Sequence, residues 1–148
     1  MTTLRFLVFN PPLLPKSMAH WALFLPHKEG RADGVLFQVQ KRGYSRSETM
    51  FSQRGFNYRI SKSELLANIP IPEIRVRPVN LNHSCHVVTR NRPFHLLRRN
   101  CQLWVFEVIQ HLARSEGLDN GGDILARIII TWGFRPMGYQ GNVDGVSL

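Results

Sequence analysis

At 148 residues, 43% of them hydrophobic and 20% charged, the chain is long enough to bury a core of its own and reads as one domain over 1–148. Its two cysteines, far apart, make neither a disulfide framework nor a paired-cysteine metal site, which suits a reducing compartment. Nineteen Lys and Arg against ten Asp and Glu give a formal net charge of +9. That balance permits binding to phosphates or anionic lipid, but no zinc-finger spacing, RNP-like aromatic run or helix-turn-helix pair accompanies it, so no specific nucleic-acid partner is expected.

Taken in order, the chain opens with LRFLVF (4–9), a first strand ended by PPLLPKS. The apolar run there is broken by Pro11 and Pro12 and has no basic leader, so it is not read as a signal peptide, and a cytoplasmic protein is expected. HWALFLP (20–26) and VLFQVQ (35–40) are rich in β-formers and alternate, and the turn-rich HKEGRADG (27–34) between them makes a hairpin. RGFNYRIS (54–61) and EIRVRPV (73–79) are further strand candidates, with a short helical turn in SKSELLANI (61–69) before Pro70 and Pro72. NHSCHVV (82–88) reads as a polar loop or edge strand.

In RRNCQLWVFEVIQHL (98–112), Cys101, Trp104, Val105, Val108, Ile109 and Leu112 recur at helical steps, so an amphipathic helix starts at Asn100 and should stop near Gly117. DILARIIITW (123–132) is a second helix or a closing strand, and ILARIIITWGF (124–134) is too short to span a bilayer and carries Arg127. Strands first and a principal helix late argue an α+β fold, a small antiparallel sheet packed on that helix.

The candidate chemistry sits at the start of that helix. Asn100 occupies the N-cap position, where its side chain can accept from a first-turn N–H, and Cys101 follows in the positive end of the helix dipole, which favours thiolate. In the hairpin, a turn centred near Gly30 places His20 opposite or diagonal to Gln38 and Gln40, within reach of an orienting amide. A base held by a third polar group and facing a cysteine is the general arrangement for thiol catalysis. Arg98 and Arg99 flank the helix start as candidate contacts for an anionic substrate. His83 and Cys85 would share a strand face with His86 beside them, a trio that could be metal ligands, but no fourth ligand stands at a motif spacing, so no metal site is read there.

HWALFLP, VLFQVQ and NCQLWVFEVI, in that order, resemble the permuted papain-like cysteine enzymes of the lecithin:retinol acyltransferase and NlpC-type superfamily. The N-C-Q-x-W form is most similar to small uncharacterised fungal members. The resemblance implies a permuted papain-like core with Cys101 as nucleophile, His20 as base and Gln38 as the third residue. It also implies acyl transfer through a thioester, as hydrolase or acyltransferase on an amide, ester or thioester, without a cofactor. The substrate would be a small-molecule, lipid or peptide acyl compound, with fungal metabolites or peptide intermediates within the class. Animal members carry a second histidine where this chain has Gln38, and a hydrophobic C-terminal anchor where it reads GFRPMGYQGNVDGVSL, which counts against transfer at a membrane. The missing histidine and the arginine excess also motivate the alternative, a non-catalytic basic binding module for an anionic partner.

Overall fold

In the computed structural model, which describes residues 1–41, 49–61, 64–90, 100–118, 121–133 and 136, the alternating segments become strands. They are β1 (Thr2–Phe9), β2 (His20–Pro26), β3 (Asp33–Lys41), β4 (Thr49–Asn57) and β5 (Leu65–Val76), and helices α1 (Pro78–Thr89), α2 (Cys101–Ser115) and α3 (Gly121–Trp132) follow. The strands pair antiparallel in one five-stranded sheet of order β4-β3-β2-β1-β5. The fold is α+β.

The pleat sends Leu4, Phe6 and Val8 of β1, Trp21, Leu23 and Leu25 of β2, and Phe37 and Val39 of β3 to one face. There they meet Trp104, Val105, Val108, Ile109 and Leu112 of α2 and Ile124, Leu125 and Ile128 of α3. The other face carries a second cluster, Leu7, Ala22, Phe24 and Leu36, with Phe9, Phe56 and Tyr58 packed on it. β2 is therefore buried on both sides, which is why HWALFLP is apolar almost throughout.

The hairpin between β2 and β3 pairs Leu23 with Phe37, Phe24 with Leu36, Leu25 with Val35 and Pro26 with Gly34, so it is centred on Gly30, whose φ is 81°. At Gly34 a Cβ would collide with the Leu25 carbonyl oxygen and the Pro26 Cα, so only glycine lets the two strands approach there.

Four expectations from the sequence are corrected. The helical turn at 61–69 and the strand at 73–79 give way to one long strand, β5, beginning at Leu65 and ending at Val76. Pro70 and Pro72 are tolerated because β5 is an edge strand, and a register irregularity lies between the pairs Thr3–Arg75 and Leu4–Ile71. The strand expected at 54–61 instead spans Thr49–Asn57, since Asn57 Oδ1 accepts the Arg59 N–H at 3.0 Å and turns the chain.

NHSCHVV is neither loop nor edge strand. Pro78 at the first helical position presets the backbone, and Leu81, Ser84 and Cys85 form the buried face of α1. Cys85 points into the core while His83 and His86 are exposed, so the three do not share a face. Trp104 Nε1 donates to Thr89 Oγ1 at 2.9 Å and His111 Nδ1 lies 2.8 Å from Ser84 Oγ, which ties α1 to α2.

α2 ends as its sequence indicates. Gly117 has φ 69°, its N–H bonds Arg114 O at 3.1 Å, and the Leu118 N–H bonds Ala113 O at 2.8 Å, the paired bonds of a Schellman cap. DILARIIITW belongs to a helix, α3, and not to a closing strand. Among the described residues no helix is long and apolar enough to cross a membrane.

Candidate active site

The first turn of α2 is held from two directions. Asn100, itself 1% exposed, caps the helix by accepting the Leu103 N–H on Oδ1 at 3.0 Å. Gln102, also 1% exposed, donates from Nε2 to Ser17 O at 2.9 Å and Ala19 O at 2.8 Å. Cys101 lies between these two anchors. The segment that Gln102 grips runs directly into His20, the first residue of β2.

His20 and Cys101 act directly on each other, each shifting the other's titration as a hydrogen-bonding and charge partner. The body of α2 covers the face of Trp21 and Leu23, whereas His20 sits beside Phe9 on the other face, with ring centroids 5.8 Å apart. The thiol and the imidazole therefore meet at the end of β2. His20 Nε2 lies 2.9 Å from Gln38 Oε1, the diagonal contact across the hairpin. An amide oxygen only accepts, so Nε2 carries the hydrogen and Nδ1 is the nitrogen left for the thiol. Gln38 thus fixes the tautomer that a base facing Cys101 needs.

The electrostatics follow from these contacts. Burial pushes the Cys101 thiol up, but the His20 hydrogen bond and charge, with the backbone N–H groups of Trp21 and Cys101 donating to the sulfur, bring it below the ordinary thiol value. His20 shows the complement. Burial lowers it, the bond to Cys101 and its charge raise it, Gln38 adds to the rise, Arg54 opposes, and the net position is above the ordinary imidazole value. Cys85 has no such partner, and burial alone drives it up.

A cavity of about 650 Å³ opens beside His20 and Gln38, between Phe9, Asn10, Pro12 and Glu64 on one side and Arg54 on the other. Gln102, Arg54 and Glu64 are the functional candidates that sequence reasoning missed. Gln102 left a signal, because it shares a helical face with Val105 and Ile109, and a polar side chain on a buried stripe needs partners. Arg54 and Glu64 left none. Arg98 and Arg99 lie outside the described residues, and Gln40 is exposed. Among the described residues no three His, Cys, Asp or Glu side chains converge as for a metal ion.

A family model described as a family of unknown function, DUF6540, matches residues 11–119. The chain belongs to the DUF6540 family. The DUF6540 match runs from just after β1 to just past α2, so it holds His20, Gln38, Asn100, Cys101 and Gln102, while β1 and α3 lie outside it. No curated protein and no solved structure was found to match this DUF6540 chain.

Proposed function

We propose that the protein is a cysteine-dependent acyl-transfer enzyme with a permuted papain-like core, a hydrolase or acyltransferase acting on an amide, ester or thioester. The observation that carries this reading is the pairing of Cys101 with a His20 ring oriented by Gln38, beside an open cavity lined by His20 and Gln38. Cys101 as thiolate attacks the carbonyl carbon, forming a C–S bond and moving an electron pair onto the oxygen. The backbone N–H groups of Trp21 and Cys101, which favour the thiolate, are the donors offered to that developing charge.

Collapse breaks the bond to the leaving amine, alcohol or thiol, which takes its proton from His20. The acceptor, water in a hydrolase or a hydroxyl or amine in a transferase, gives a proton to His20, attacks the thioester and releases the Cys101 thiolate. Gln38 holds the imidazole and Asn100 and Gln102 hold the helix start, so these are positioning residues.

The test is incubation with 4-nitrophenyl acetate, with release of nitrophenol followed optically and the protein followed by mass spectrometry. An acetyl group on Cys101, absent from Cys101→Ala and strongly reduced in His20→Ala, is the expected result. A Cys101 that acylates no faster than Cys85 would overturn the reading in favour of a non-catalytic binding module.

A further inference from the structure

The cavity beside His20 takes a residue from each strand or its flank: Arg54 from β4, Gln38 from β3, His20 from β2, Phe9 from β1, and Glu64 from the position before β5. The register places the four strand residues on one face. Arg54 pairs with Leu36, Leu36 with Phe24, and His20 with Phe9, all on the side of the sheet away from the body of α2. Because the strands run β4-β3-β2-β1-β5, the guanidinium and the carboxylate stand at opposite ends of the cavity, with the imidazole between them.

The two charges are held rather than neutralised. Arg54 lies over the Phe56 ring, 5.6 Å from its centroid, and has no carboxylate partner among the described residues. Glu64 accepts from Asn10 Nδ2 at 2.7 Å, a neutral donor that fixes the carboxylate and leaves its charge in place. Strands about 4.8 Å apart put β4 and β5 about 19 Å apart, a span that the two side chains shorten from both ends. The volume of about 650 Å³ falls within the range of small-molecule sites.

We infer that this cavity binds a small dipolar acyl compound, its anionic group on Arg54 and its ammonium on Glu64, with the carbonyl between them at His20. The carbonyl rests on the acyl-transfer reading, whereas the charge selectivity belongs to the cavity itself. A dianion would meet Glu64 at the far end and a dication would meet Arg54, so the opposed pair rejects both. Arg54 is also close enough to His20 to oppose its protonation, and an anion seated on Arg54 would relieve that opposition.

The probes are 8-aminooctanoate, octanedioate and 1,8-diaminooctane, chains of one length, about 10 Å extended, that differ only in their end charges. They are titrated into wild type and into Cys101→Ala while backbone amide shifts are followed by NMR. The expected result is shifts at Phe9, Gln38, Arg54 and Glu64, with 8-aminooctanoate bound about fivefold or more tighter than the other two. Arg54→Gln and Glu64→Gln should each remove that preference, and Arg54→Lys should keep part of it.

Equal affinities for the three probes, shifts elsewhere in the protein, or a preference that survives both glutamine variants would overturn the inference. Binding needs no thiol chemistry, so the two proposals fail separately. A dipolar preference in a protein whose Cys101 never acylates sustains the cavity assignment and ends acyl transfer. An acylated Cys101 with no charge preference does the reverse.

Discussion

Gln102 Nε2 donates to the carbonyl oxygen of Ala19 over 2.8 Å, and so joins the residue after Cys101 to the residue before His20. The two members of the candidate site are coupled through their immediate chain neighbours. Gln102→Leu keeps the volume and removes the donor, leaving the carbonyls of Ser17 and Ala19 without it. Stability should fall by about 1–3 kcal/mol. Alkylation of Cys101 should slow as well, because the helix start is no longer pinned to β2. Thermal unfolding and the iodoacetamide rate together check this, and an unchanged rate would separate the tether from the site.

The pH profile of thiol labelling follows from the signs of the shifts. Cys101 is held below the ordinary thiol value mainly by His20, so iodoacetamide should label it well below the pH that a free cysteine requires. Cys85, driven up by burial, should stay unlabelled in the folded protein. In His20→Ala the largest lowering influence is gone while the burial and the two backbone N–H groups remain, so labelling of Cys101 should move to higher pH than in wild type. Peptide mass mapping across pH reads all three, and a Cys101 profile that does not move in His20→Ala would refute the pairing.

Gln38→Ala should reduce acyl transfer less than His20→Ala does. The amide orients the ring and fixes its tautomer, whereas the imidazole itself moves the proton, a contribution of about 10²–10⁴-fold. Parallel single-turnover rates of the two folded variants measure the ranking. Equal losses would make Gln38 a full participant.

Asn100→Ala should cost about 1 kcal/mol through loss of the cap on the Leu103 N–H, and Asn100→Ser should restore most of it, since a serine hydroxyl can accept the same bond. Chemical denaturation of the two variants is the measurement.

The site was more legible in the sequence than the second half of the fold, for a local reason in each case. A cap, an apolar repeat at helical spacing and a glycine after it define α2 within its own residues, and a symmetric turn around Gly30 is enough to set His20 diagonal to Gln38. β5 and α1 are different. Two prolines in LLANIPIPEIRV argue against a strand unless the strand is known to lie at an edge, and that is a property of the whole sheet. In α1, Leu81, Cys85 and Val88 do recur at helical steps, but His83, His86 and paired valines obscure them, and only burial against α2 selects the helical period. Arg54 and Glu64 become neighbours of one cavity through strand order alone, so no local pattern announces them.

Gly34→Ala should destabilise the hairpin by about 1–3 kcal/mol, because the added methyl meets the backbone of Leu25 and Pro26, which cannot swing aside as a side-chain tip would. If the strands slip to relieve it, the His20–Gln38 diagonal is lost with the register. Thermal unfolding with the Cys101 labelling profile distinguishes simple destabilisation from a slipped hairpin.

The site is assembled across two very different chain separations, 18 residues for the His20–Gln38 bond and 83 for the Gln102–Ala19 bond. Loop closure makes the first contact entropically easy and the second expensive, so the base and its orienting amide can be in place while the nucleophile is still remote. Low-pH reactivity of Cys101 then becomes a clock for refolding. It should appear only in the final kinetic phase, when the C-terminal half docks, and its appearance together with hairpin formation would contradict that order of assembly.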